Sequence, residues 1–198
     1  MQKLARNNKG LSQVITTLII LVVAVLLTGV VTYYATNVTM VRTTQEEVRV
    51  RKAHIWVEEG DAAYAAILIQ NIGGRDILVD KLLIRGVEAP WTGDPTVVVQ
   101  YYKVLTSDDV GADFSVMKNA TDYYFGQIGS VPADASFWAN TTGDMPLKSS
   151  NSLLLFVKNP PNIALYDVGT TISMAVYTTN AQWIVETVVE SAEVQDFP

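Results

Sequence analysis

From Leu11 to Val41 the chain carries no charged side chain. Between Val14 and Val31 only Thr16, Thr17, Thr28 and Gly29 interrupt the apolar residues. A helix rises about 1.5 Å per residue, so about 18–20 such residues span a bilayer. A helix that is apolar on every side must be surrounded by lipid or by protein. No fold for this chain can therefore treat residues 14–31 as an ordinary solvated surface helix. The preceding residues 1–10, MQKLARNNKG, are polar and basic, with Lys3, Arg6 and Lys9.

Three readings of this N-terminus compete. A secretory signal peptide needs an apolar stretch of roughly 7–15 residues followed by a small-x-small cleavage site. The run here is longer, and Tyr33 and Tyr34 follow where small residues belong. An uncleaved membrane anchor with an external domain fits the length. Charge asymmetry does not orient it, because Arg42, Arg49, Arg51 and Lys52 follow the span as Lys3, Arg6 and Lys9 precede it.

The third reading rests on the junction Lys9-Gly10-Leu11-Ser12 and the KGLSQVITTLIILVVAVLL that contains it. This junction resembles the class III signal peptide of type IV pilins and archaellins. The resemblance covers about residues 6–35. It implies that a membrane-embedded prepilin peptidase cuts after Gly10, with Lys9 as the preceding basic residue and Leu11 as the new N-terminus. Bacterial type IV pilins usually have Phe or Met first and Glu fifth in the mature chain. Leu11 and Ile15 stand there instead, which is usual for the archaeal branch.

The resemblance further implies a homopolymer. Leu11, Val14, Ile15, Leu18, Ile19, Val22, Val25 and Leu26 would line the core of a helical filament at the cell surface. The precursor would wait in the cytoplasmic membrane. A pilus assembly ATPase and its membrane platform would be the other partners. The physics is compatible with both environments, since a helix satisfies its backbone hydrogen bonds internally in lipid and in a bundle alike. One subunit repeating a heterologous contact gives an open filament.

Past the apolar run, residues 38–53 are partly amphipathic, and Glu47 and Arg51 have the i,i+4 spacing of a helical ion pair. This predicts a helical stalk to Lys52, and hence three segments: a leader 1–10, a helix and stalk 11–52, and a head 53–198. In the head the periodicity changes. Runs at Ala53–Glu58, Ala62–Gln70, Ile77–Arg85, Val97–Leu105, Ser152–Lys158, Thr171–Thr178 and Gln182–Val189 are separated by turn signals such as Asn71-Ile72-Gly73-Gly74 and Asn159-Pro160-Pro161. Thr179-Asn180-Ala181 reads as a hairpin loop. The pattern predicts a mainly β chain: one long hydrophobic helix, then an antiparallel sandwich of about seven strands, immunoglobulin-like. The family usually has such a head. Residues 106–150 read as long loops with one or two strands.

Chemistry is sparse. The net charge of −6 argues against a nucleic-acid partner. The absence of cysteine excludes disulfides, thiolate metal sites and a Cys nucleophile. His54 is the single histidine, so a metal site with two His ligands is excluded and a Ser-His-Asp triad would have to use His54. No P-loop or nucleophile elbow occurs. Ser107-Asp108-Asp109 and Gly143-Asp144 lack the spacing of a calcium loop and read as solvated acidic loops. No enzymatic activity, cofactor or metal is expected. Sequons occur at Asn37, Asn119 and Asn140. Asn119 and Asn140 fall in the loop-rich region and are the better glycan acceptors, because a glycan on Asn37 would clash with a packed helix core. The resulting expectation is an adhesive pilus subunit. An archaellin shares every one of these features, and a membrane-anchored binding or S-layer-associated protein shares the helix and the head.

Overall fold

The computed structural model describes residues 8–60, 62–92, 96–105, 107–111, 114–118, 124–127 and 138–192. The chain divides into two compact units, one ending at Thr44 and the other beginning at Gln45. The first is the helix α1, Asn8–Thr44, of 37 residues. At about 1.5 Å per residue it is about 55 Å long.

The helix stops earlier than the stalk reading expects. β1, Val48–Val57, begins four residues after Thr44. Glu47 and Arg51 are therefore not a helical pair, and residues 45–52 belong with the head. The physical reason lies in the sequence. Val48-Arg49-Val50-Arg51 alternates with period two, which suits a pleat. Val48 is buried while Arg49 and Arg51 face solvent. β-branched valines are stiff at χ1 and favour the strand.

The other strands are β2 Ala63–Asn71, β3 Ile77–Ile84, β4 Val87–Ala89, β5 Val98–Lys103, β6 Ser115–Lys118, β7 Tyr124–Gln127, β8 Ala139–Asn140, β9 Met145–Leu147, β10 Ser152–Lys158, β11 Thr171–Thr178 and β12 Gln182–Ser191. Seven of them carry the fold. In one half the order is β1-β2-β10-β5, and in the other β3-β11-β12, all antiparallel within each half. Taken in chain order as A to G, these strands pair as A-B-E-D and C-F-G, the pairing of an immunoglobulin-like sandwich. β4 and β9 extend β3, β8 extends β5, and β6–β7 form a separate hairpin. All the short additions fall between β3 and β10.

β1 joins the two halves. A bulge between Arg51 and His54, with Lys52 at φ 51°, redirects the strand. Beyond it, Ile55–Val57 pairs in parallel with Val189–Ser191. One side of the sandwich is thereby closed into a half-barrel. The Lys52 ammonium donates to the carbonyls of Val110 and Gly111 at 2.9 and 2.7 Å, tying the segment after β5 to the bulge.

Two clusters hold the head. Between the sheets lie Ile55, Ile67, Ile69, Leu153 and Leu155 against Leu82, Ile84, Met174 and Val176, all fully buried. Each such side chain contributes about 1.5–3 kcal/mol by leaving water. On the outer face of β1-β2-β10-β5 a second cluster gathers Trp56, Tyr64, Leu68, Leu154 and Phe156 under Phe114 and Trp138. Residues from the segment between β5 and β10 thus cover that face. This explains why β2 and β10 read as continuous apolar runs: both of their faces are buried. β11 has one buried and one more open face, and its sequence TISMAVYT alternates accordingly.

Candidate functional site

The feature that needs a partner is α1. Leu11, Val14, Ile15, Leu18, Ile19, Val22, Val25 and Leu26 are 46–67 % exposed in the single chain. They form an i, i+3/i+4 series, as the sequence predicts. An equally apolar series of Ile20, Val23, Leu27 and Val31 is just as exposed, and sequence reasoning had singled out only the first. A helix pairing with one neighbour keeps a polar back. This one has none, so its surface asks for lipid or for several neighbours at once. Among the described residues one helix is long and apolar enough to cross a membrane, Gly10–Val41, and none of it is buried within the chain.

The threonines do not spoil this surface. Thr16, Thr28, Thr32, Thr36 and Thr39 each donate to the carbonyl four residues back, at 2.8–2.9 Å. Thr17 donates to Val14 O at 2.9 Å. Each hydroxyl hydrogen is satisfied inside the helix.

Lys9, Gly10 and Leu11 lie in the first turn of α1. A Cβ added to Gly10 would meet nothing within 4 Å, so no packing within the chain requires glycine there. Glycine in a helix costs about 0.5–1 kcal/mol relative to alanine. The same holds at Gly29, the other glycine of α1.

A second construction, not foreseen from sequence, holds the chain where it enters the head. The Glu46 side chain is 6 % exposed. It accepts from Thr178 Oγ1 at 3.0 Å and from Asn180 Nδ2 at 2.5 Å, both at the β11–β12 turn. Arg75 Nη2 is 3.6 Å away. The Glu47 carbonyl accepts from the amides of Ile72 and Gly73, at 2.9 and 3.0 Å. A Cβ at Gly73 would come within 2.7 Å of Gln45 O and of Glu47 N, so only glycine lets the two backbones approach. Fully buried Asn71 braces this turn through Arg75 O, Leu147 O and the Gly73 amide. The only trace in the sequence was Gly73-Gly74, which reads equally well as a plain turn.

The remaining candidates are occupied structurally. His54 stacks on Trp56, ring centroids 5.3 Å apart, and meets Phe114 edge-on. Its buried Nδ1 has no hydrogen-bond partner among the described residues; the Glu190 carboxylate, at 3.6 Å, is too far for a hydrogen bond. Asp108 Oδ2 accepts from Leu105 N at 2.7 Å and Tyr102 Oη at 3.0 Å, and Asp109 Oδ1 from Gly111 N at 2.8 Å. These carboxylates cap local turns. Among the described residues no three His, Asp or Glu side chains gather as metal ligands. Of the sequons, Asn37 is an exposed helix residue, Asn140 is exposed on β8 with its Oδ1 accepting from Gln100 Nε2 at 2.9 Å, and Asn119 lies outside the described residues.

No family model and no curated protein matches the chain. Among solved structures, a family 123 glycoside hydrolase from Clostridium perfringens, described in connection with glycolipid glycan hydrolysis, is similar at 10 % identity and a TM-score of 0.36. The match covers 77 % of this chain, which spans 28 % of that protein.

Proposed function

We propose that this chain is the precursor of a structural subunit of an extracellular, type IV pilus-like filament of the archaeal kind, serving adhesion. It is not an enzyme and takes no cofactor. The prepilin peptidase removes residues 1–10. The assembly ATPase and its platform then move α1 from the cytoplasmic membrane into a bundle of identical helices. The observation that carries this reading is the all-round apolar surface of α1, exposed from Gly10 to Val41 in the single chain. The Lys9-Gly10 junction supports it, because a cut there leaves the apolar helix in the mature protein. The immunoglobulin-like head is compatible with display on a filament surface, where Asn119 and Asn140 are the proposed glycan acceptors. The swimming-filament reading shares these supports and differs in its motor, not in this chain.

The test is a charge inside α1. Val23→Asp or Leu26→Lys places an ion at the middle of the apolar span, at roughly 2.5–3.5 kcal/mol by insertion scales. In a filament that penalty recurs in every subunit with no water nearby. Electron microscopy of sheared surface material should show filaments from the wild type and none from either variant. Correctly processed wild-type protein that forms no filaments would sink the filament reading in favour of the anchored binding module.

A further inference from the structure

Gly10–Val41 is 32 residues, about 48 Å of helix. The hydrocarbon core of a bilayer is about 30 Å thick. The apolar helix is thus longer than the membrane it would wait in, and hydropathy alone leaves its depth undetermined by about a dozen residues. Something else must set the register.

We propose that Tyr33 and Tyr34 do so, by seating their phenols among lipid headgroups. On this assignment Leu11–Thr32 fills the hydrocarbon, and Ala35–Thr44 stands outside it as helix. The proposal rests on the membrane-borne precursor proposed above. Both side chains point away from the chain, 73 % and 71 % exposed. As consecutive helix residues they project about 100° apart, so lipid meets a phenol on two sides of the helix. A tyrosine ring is apolar and its hydroxyl is wet, which is why such residues collect at membrane interfaces.

The lengths agree. Leu11–Thr32 is 22 residues by sequence, about 33 Å, close to the hydrocarbon thickness. Polar groups within it are of the tolerable kind. Thr16, Thr17 and Thr28 hand their hydroxyl hydrogens to their own helix backbone. Ser12 and Gln13 lie within a turn of the opposite interface. A register deeper by two turns would drag both phenols into hydrocarbon, and with them Asn37, whose amide has more donors and acceptors than a helix backbone can satisfy. A shallower one would put Leu26, Leu27, Val30 and Val31 in water.

The absence of cysteine makes the test direct, because any introduced thiol is the only one in the chain. Single variants Leu21→Cys, Val38→Cys and Val41→Cys of the full chain are placed in phosphatidylcholine vesicles, and a charged maleimide is supplied to both faces of the membrane. Leu21→Cys should resist labelling, while Val38→Cys and Val41→Cys react at least ten times faster. Adding Tyr33→Leu and Tyr34→Leu should slow Val38→Cys at least ten-fold, as the helix settles about a turn deeper. Protection of Val38→Cys equal to that of Leu21→Cys, or no response to the tyrosine changes, would overturn the proposal alone. Rapid labelling of Leu21→Cys would overturn it together with the membrane-borne precursor.

Discussion

Glu46 is a carboxylate taken out of water and given two donors and a nearby guanidinium in return. Hydrogen bonds to charged groups contribute about 1.5–3 kcal/mol. Glu46→Ala should lower the unfolding free energy of the head by about 2 kcal/mol, read from denaturant midpoints at constant slope. Gly73→Ala acts from the other side of the same junction. Its methyl group cannot coexist with Gln45 O and Glu47 N, and overpacking of this kind costs about 1–3 kcal/mol. The two changes should be non-additive, because they release one contact. Tyr102 gives a prediction of different form. Burial, then the hydrogen bond to Asp108 and the negative charge of that carboxylate, raise its phenol above the usual tyrosine pKa of about 10. A raised folded-state pKa means that the folded head holds this proton more tightly than the unfolded chain. The stability it gives is complete below about pH 10 and is lost as pH rises through the folded-state value. Thermal unfolding followed from pH 8 to 11 should therefore fall more steeply in the wild type than in Tyr102→Phe.

At the scale of elements, what the sequence made legible depended on how the burial was arranged. β10 was expected at Ser152–Lys158 and lies there, because an unbroken apolar run ends at Asn159-Pro160-Pro161. β11 and β12 were legible for the opposite reason, their alternation on either side of a short polar loop. The stretch after α1 misled because Glu47 and Arg51 satisfy a helical spacing while Val48 and Val50 satisfy a strand spacing, and tertiary pairing with Asn71 and Ile69 decided between them. The covering of the second face by Phe114 and Trp138 was illegible, since isolated aromatics in polar surroundings carry no period. The apolar surface of α1 was legible in full, since an apolar run of this length leaves a helix no polar side. The leader junction carries its own prediction. If Gly10 is needed for the first turn to open in the peptidase, Gly10→Leu should leave the uncut precursor in the membrane. Intact mass of the exported wild-type protein should correspond to a start at Leu11, and a mass that includes Met1 would refute the cut.

For the whole molecule, the entry of the chain into the head has a mechanical consequence. Whatever draws on the head draws on it through residues 45–48, the only covalent link to α1. Those residues lead straight into β1, which is paired with β2 at eight positions. Antiparallel hydrogen bonds lie perpendicular to the strand. A tug along β1 therefore loads them side by side, and they must fail together instead of opening one by one like a zipper. Glu46 stands ahead of that row, fastened to the β11–β12 turn of the other sheet, so tension is shared between the two sheets before the first bond of β1 is stretched. In optical-tweezers pulling of the full chain between Thr44→Cys and Tyr166→Cys, the latter at the far end of the head, the wild type should resist and then rupture in one step. Glu46→Ala should yield at lower force, and should do so even at a temperature chosen to equalise the two equilibrium stabilities. A head built this way behaves as a rivet, fitted to bear tension along the chain and not merely to stay folded.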